Sequence, residues 1–142
     1  MPLSKKSKPT RVMIFGTFDI IHPGHIHFFK QARSLAGNSF LIVSVARDRN
    51  VARIKGKRPQ NSESKRKRAL IASGLVDKVV LSALKNHLPH ILKERPDIIA
   101  LGYDQTHYTK NLKLDLAKRG LSVKIRRLKP HKPHRYKTSK LI

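Results

Sequence analysis

The chain has 142 residues, with 32 Lys and Arg against 8 Asp and Glu, a formal net charge of +24 and no cysteine. This length fits one domain with a sizeable core, and the lack of cysteine excludes disulfides and thiolate metal ligands. No apolar run reaches the length of a membrane-spanning helix, and no signal-peptide pattern follows Met1. We therefore expect a soluble cytoplasmic protein, in which residues 1–10 form a basic, flexible N-terminus.

Strand-like apolar segments alternate with helical patterns along the rest of the chain. We expect strands at 11–16, 39–46, 78–82, 97–102 and 121–128. Helical spacing predicts helices at 23–36, about 62–75, about 85–95 and about 108–119, and Pro89 indicates that the third of these starts late or bends early.

This alternation predicts an α/β fold, a Rossmann-like three-layer sandwich whose five-stranded sheet is mainly parallel. Gly16 and Gly102 each end a predicted strand. Because ligands bind beyond the carboxyl ends of such strands, we expect the loops after these two glycines to face one crevice.

The most informative motif directly follows the first strand, and it reads Gly16-Thr17-Phe18-Asp19-Ile20-Ile21-His22-Pro23-Gly24-His25. Pro23 suits the first turn of a helix, where its missing N–H has no intrahelical partner. Two imidazoles three residues apart then lie at a strand-to-helix turn, where free backbone N–H groups and the helix dipole attract phosphate. The motif therefore predicts a triphosphate site. Two histidines without a third ligand do not indicate zinc, and we expect no metal ligands.

Four later segments extend this motif into an ordered series: 45–48 (VARD), 55–59 (KGKRP), 76–78 (VDK) and 96–105 (PDIIALGYDQ). With GTFD and HxGH, the series resembles the cytidylyltransferase-like nucleotidyltransferases, and within them the archaeal-type FAD synthases. Glycerol-3-phosphate cytidylyltransferase is next by pattern. The resemblance extends over about residues 11–142 and implies a single domain there with the HxGH nucleotidyltransferase fold.

The resemblance also implies an activity, the transfer of a nucleoside monophosphate from a nucleoside triphosphate to a phosphorylated acceptor with release of pyrophosphate. ATP and FMN are the favoured substrates. CTP with glycerol 3-phosphate, or with another alcohol phosphate, is the alternative. We expect Mg²⁺, carried mainly by the nucleotide, and the family is often dimeric.

Four residues are expected to act in catalysis by this resemblance. His22 and His25 would stabilise the triphosphate and the transition state, most strongly when protonated. Lys55, expected in a loop after the second strand, and Arg66, at the start of the next helix, would contact phosphate.

The expected nucleotide-binding residues are Gly16, Thr17, Phe18, His22, Pro23, Gly24, His25, Asp104, Thr138 and Ser139. Glycine at 16 permits close approach of the phosphates, whereas Phe18 is either a ligand contact or core. Asp19 is expected to be structural. Asp104 would accept hydrogen bonds from ribose or base. Residues 129–142 are expected to form a basic loop or lid, in which Thr138 and Ser139 match the hydroxyl-rich third motif of the family.

The positive charge exceeds what one nucleotide requires, and it is concentrated in residues 53–68 and 124–140. Such a field promotes nonspecific binding of nucleic acid. The hypothesis from another class is therefore a basic nucleic-acid-binding protein that has the same fold. An active enzyme with a secondary affinity for RNA would satisfy both the motif and the charge.

Overall fold

One five-stranded sheet forms the centre of the molecule in the computed structural model, which describes residues 8–102, 105 and 111–129. Its strand order is β3-β2-β1-β4-β5, and all four neighbouring pairs are parallel. The strands are β1 (Thr10–Gly16), β2 (Ser39–Val45), β3 (Lys78–Leu81), β4 (Ile98–Leu101) and β5 (Lys124–Arg127). The α/β fold with a parallel sheet predicted from the sequence is confirmed.

In the described part of the chain, five helices connect these strands: α1 (Pro23–Arg33), α2 (Asp48–Lys55), α3 (Glu63–Ser73), α4 (His87–Glu94) and α5 (Leu112–Lys118). Helices α1 and α3 cover one face of the sheet, where Phe29 and Leu70 join its buried side chains. Helices α4 and α5 cover the other face through Ile91, Leu112 and Leu116. The apolar strands are thus buried on both sides, as parallel sheets require.

The functional edge of the sheet is set by its strand order. From β1 the chain proceeds outward to β2 and β3, and then returns to place β4 on the other side of β1. The loops after β1 and β4 consequently leave their strands in opposite directions. This arrangement is a topological switch point, where open α/β sheets bind ligands.

Helix α2 is the one clear departure from the predicted elements within the described residues. The sequence placed Lys55 in a loop, but Lys55 is the last residue of this helix, which ends at Gly56 in the left-handed conformation with φ 79°. The prediction was wrong because α2 is short and polar, with Val51 and Asn50 as its buried residues. Helix α4 begins at His87 with Asn86 as its N-cap, which agrees with the late start that Pro89 indicated.

Candidate active site

The turn after β1 has a strained backbone that is fixed by packing. Phe18 has a positive φ of 51°, which is rare for a residue with a side chain. Its ring is 5% exposed and lies against Phe29, with the ring centroids 5.4 Å apart. A Cβ at Gly16 would lie 2.7 Å from two atoms of this ring. Phe18 is therefore a core residue, and Gly16 has to be glycine because of that ring.

The two histidines of the motif form the start of α1. His22 is the N-cap, and its Nδ1 accepts a hydrogen bond from the Gly24 amide at 3.1 Å. The His25 Nδ1 in turn accepts from the His22 amide at 3.3 Å. Their rings are stacked with centroids 3.8 Å apart, and the Phe18 ring lies edge-on to His25 at 5.2 Å.

These hydrogen bonds decide which nitrogen of each ring carries the proton. A nitrogen that accepts from an N–H cannot itself be protonated, so both neutral rings carry their hydrogen on Nε2. Burial above all, then the charge of His22 and that of Lys55, lower the pKa of His25 to about 4, while a hydrogen bond to the Ile20 backbone opposes the shift. Burial also lowers the pKa of His22. Both rings are neutral donors at pH 7.

The backbone amides that the sequence predicted to be free are occupied. Gly24 donates to the His22 ring, and the His25 amide donates to the His22 carbonyl at 2.9 Å. Pro23 has no amide hydrogen to offer. The first turn of α1 can attract an anion through its dipole and through the Nε2–H groups of the two rings, rather than through unpaired amides.

Arg66 points into the protein instead of into the crevice. It lies in α3 and is 1% exposed. Its guanidinium donates through Nε to the Asn61 carbonyl at 3.0 Å, through Nη1 to the Thr17 carbonyl at 2.9 Å and through Nη2 to Asp48 at 2.6 Å. We call residues 17–25, between β1 and the first turn of α1, the histidine turn. The buried Arg66 guanidinium thus connects this turn, the start of α2 and the loop before α3. The predicted contact of Arg66 with phosphate stays a prediction.

Asp19 supports the same turn from the other side. Its carboxylate accepts from the Gln60 amide at 2.6 Å and from the Asn61 amide at 2.8 Å, and the Asn61 side chain donates back to the Asp19 carbonyl at 2.9 Å. The expected structural role of Asp19 is confirmed. The carboxylate fixes the loop between α2 and α3 rather than the histidine rings.

Gln105 connects the loops after β1 and β4 across the switch point. Its side-chain amide donates to the Phe15 carbonyl at 2.8 Å and accepts from the Gly102 amide at 2.8 Å. The Arg127 guanidinium donates to the carbonyls of both Gly102 and Gln105 at 2.8 Å. The two predicted loops therefore meet at one edge of the sheet. Asp104, Thr138 and Ser139, the other predicted nucleotide contacts, lie outside the described residues.

Sequence reasoning assigned no role to two polar groups at this edge. Asp48, inside the VARD segment, is the ion-pair partner of Arg66. Burial alone would raise the pKa of Asp48, but the Arg66 hydrogen bond and charge bring it below its usual value. Ser44, 1% exposed, contacts the His90 Nε2 at 2.8 Å on the α4 side of the sheet. A serine within an apolar strand was the signal for that pair.

A parallel sheet with a histidine-bearing strand-to-helix turn at its switch point defines a nucleotide-binding α/β protein. The model of the family described as cytidylyltransferase-like matches residues 13–142. The chain belongs to this family, and its described part contains the sheet and the histidine turn through which the sequence resembled it.

Three curated relatives named FAD synthase are similar over most of their length. The one from Korarchaeum cryptofilum is 50% identical over 121 residues, 83% of this chain and 80% of the relative. The one from Methanosarcina barkeri is 46% identical and covers 84% and 83%. The one from Thermococcus sibiricus is 42% identical and covers 96% and 93%.

One solved structure is similar in fold and sequence. It is named as the lipopolysaccharide core biosynthesis protein from Thermoplasma volcanium GSS1, and it matches with a TM-score of 0.76 at 40% identity. The match covers 86% of this chain and 98% of that one.

Proposed function

We propose that this protein is an FMN adenylyltransferase, which makes FAD and pyrophosphate from ATP and FMN. The FAD synthase relatives, each covering at least four fifths of this chain, support this choice of substrates. A phosphate oxygen of FMN attacks the α-phosphorus of ATP, one P–O bond forms, and the bond between the α-phosphorus and the bridging oxygen breaks. Pyrophosphate leaves with that oxygen. The reaction needs no protein nucleophile, so catalysis depends on positioning and on stabilisation of charge.

The observation that carries the proposal is the shared tautomer of His22 and His25. With Nδ1 of each ring occupied by a backbone amide, each ring carries its hydrogen on Nε2, and a phosphate oxygen of ATP would replace the present partner of that hydrogen, which for His25 is the Ile20 backbone. A neutral donor is in place at pH 7 without a proton having to be captured first. We assign to both rings the stabilisation of the triphosphate and of the charge that develops on the departing pyrophosphate.

The remaining residues hold these two rings in place or extend the positive field. Lys55 influences the charge of His25 and is proposed as a phosphate contact. Thr17 is held by Arg66 and offers its other backbone groups to the nucleotide. Asp104, Thr138 and Ser139 remain proposed contacts to the nucleotide.

Magnesium is proposed to enter with ATP as part of the substrate. In the described part of the chain no three His, Cys, Asp or Glu side chains are grouped as ligands for a metal ion. Mg²⁺ prefers substrate phosphates and water with few carboxylates, so ATP itself supplies a suitable donor set. The ion would neutralise charge on the triphosphate oxygens.

Assembly and location stay proposals. No described helix is long and apolar enough to cross a membrane. We propose a cytoplasmic enzyme, since both ATP and FMN are intracellular metabolites, and a homodimer. Light scattering of the purified protein tests the homodimer.

The substrates are tested by pyrophosphate release with Mg²⁺, in which ATP and CTP are each combined with FMN, glycerol 3-phosphate and phosphoethanolamine. We expect release with ATP and FMN alone. Release with CTP and an alcohol phosphate would replace the proposal by the cytidylyltransferase alternative. No release in any combination, from folded protein, would overturn a transferase function on these substrates.

The role of His22 is tested by two substitutions that separate its cap from its donor. In His22→Asn, the side-chain oxygen replaces Nδ1 and keeps the bond from the Gly24 amide, but the Nε2–H is lost. In His22→Ala both are lost. We expect kcat to fall by about 100-fold or more in both, as for removal of an oxyanion donor, with the Tm lowered only in His22→Ala. An active His22→Asn variant would show that the ring acts only as a helix cap.

A further inference from the structure

The surface of α2, the loop after it and α3 carries a dense set of exposed cations. We call it the α2–α3 basic face, and it comprises Arg49, Arg53, Lys55, Lys57, Arg58, Lys65 and Arg68. Arg66, in the same stretch, points inward and takes no part in it. The face lies on elements that begin next to each other, because Glu63 of α3 accepts from the Asp48 amide of α2 at 2.7 Å.

Among the described residues, the acidic side chains next to this face are held by internal partners, and one of them, Asp19, accepts from the Gln60 and Asn61 amides. Between residues 47 and 68 the acids are Asp48 and Glu63. Asp48 is paired with the buried Arg66 at 2.6 Å, and Glu63 with Arg47 at 3.1 Å. Both partners lie outside the face. The charge of Arg58 also acts on Asp48, but the seven cations of the face outnumber these three carboxylates, so the surface keeps an excess of positive charge.

The face is larger than a single nucleotide can use. Helix α2 has 8 residues and α3 has 11, so at 1.5 Å per residue they extend about 12 and about 16 Å. A triphosphate bound at the histidine turn can reach the end of α2 at Lys55, which already influences His25. The seven cations of the face exceed the charge of one triphosphate. The excess charge needs a longer polyanion.

We propose that the α2–α3 basic face binds the phosphodiester backbone of a nucleic acid, without regard to sequence. Repeated phosphates match repeated Lys and Arg, and release of their counterions supplies the affinity. A second copy of this chain is disfavoured as the occupant, because two such faces would repel each other. Ile54, 75% exposed among these cations, offers an apolar surface for sugars and bases. Lys55 is shared with the proposed transferase site, and the other six cations of the face have no assigned role in the reaction.

The test compares two variants of equal charge. In the first, Arg53, Lys65 and Arg68 of the face are each replaced by Gln. In the control, Lys93, Lys113 and Lys118, exposed on α4 and α5 across the sheet, are each replaced by Gln. Neither set includes a residue assigned to catalysis. The affinities for a labelled RNA and a labelled duplex DNA are measured by anisotropy between 50 and 500 mM salt, and Tm values and pyrophosphate release are recorded alongside.

For the wild type we expect log K to fall with log salt at a slope of up to about −6 on duplex DNA, if all seven cations contact phosphate. Loss of three contacts should make the slope shallower by about 2.7. Over a tenfold rise in salt, the affinity of the variant should therefore fall by roughly 500-fold less than that of the wild type. The control should keep the wild-type slope. Binding of either RNA or DNA with this pattern supports the proposal, and the stronger of the two identifies the source of the backbone.

Three results would overturn it. Equal losses of nucleic-acid affinity in both variants would mean that the net charge of the protein, rather than this face, attracts the polyanion. Binding of polyglutamate without binding of either nucleic acid would indicate an acidic protein partner. A change of oligomeric state in the first variant alone, seen by light scattering, would show that the face contacts a second copy. Pyrophosphate release stays at the wild-type level in every case, so failure here is distinguishable from failure of the proposed enzyme function.

Discussion

Replacement of Arg66 by lysine should destabilise the protein more than it impairs the chemistry. Arg66 donates three hydrogen bonds, to the carbonyls of Thr17 and Asn61 and to Asp48, and its side chain is 0% exposed. One ammonium cannot span three acceptors that lie in different directions. Two bonds to a charged donor are lost at about 1.5–3 kcal/mol each, which water replaces in part. We expect a net loss of about 3 kcal/mol in the free energy of unfolding.

This loss translates into a measurable shift of the melting temperature. An unfolding entropy of about 2.1 cal/mol/K per residue gives about 0.3 kcal/mol/K for 142 residues. The Tm of Arg66→Lys should therefore fall by about 10 °C in a calorimetric scan. Arg68→Lys, the same change at an exposed position of the same helix, should leave the Tm within 1–2 °C. An unchanged Tm in Arg66→Lys, with a 100-fold loss of kcat/KM, would refute the scaffold role and place the guanidinium on phosphate.

Three other changes test the histidine turn. Gly16→Ala should cost about 1–3 kcal/mol by calorimetry, because its Cβ meets the Phe18 ring at 2.7 Å, and Phe18→Leu in the same chain should recover part of the loss. Asp19→Ala should lower stability by about 1–2 kcal/mol in urea unfolding, since the Gln60 and Asn61 amides lose a charged acceptor; an unchanged midpoint would contradict this. Burial holds the pKa of His25 at about 4 in the folded protein, against 6.5 in the unfolded chain. The neutral ring therefore makes its full contribution to the free energy of unfolding above pH 6.5, and this contribution is lost as the pH falls towards 4. By pH 5 the wild type should lose about 2 kcal/mol more than His25→Asn in thermal melts, and equal losses would contradict the lowered pKa.

The sheet and the histidine turn could be predicted because their signals are local. Apolar runs mark buried strands, and Pro23 after His22 marks the start of a helix. Helix α2 escaped prediction because its N-terminus is held by Glu63, 15 residues away, rather than by a cap in its own sequence.

The orientation of Arg66 could not be predicted for a related reason. Two of its three acceptors are backbone carbonyls, which no residue type marks, and one of them lies 49 positions away. A run of charged residues at 65–68 gave no sign of which one points inward. The tautomers of the two histidines likewise depend on the geometry of one helix turn, which the motif letters do not contain.

The most direct test of the central claim is the transfer of label from [α-³²P]ATP to FMN by the purified protein with Mg²⁺. The wild type should form labelled FAD, and His22→Asn, with its helix cap intact, should form about 100-fold less. Labelled FAD from the wild type and from His22→Asn at equal rates would contradict the donor role of the ring. No labelled FAD from folded wild type would contradict the proposed reaction itself.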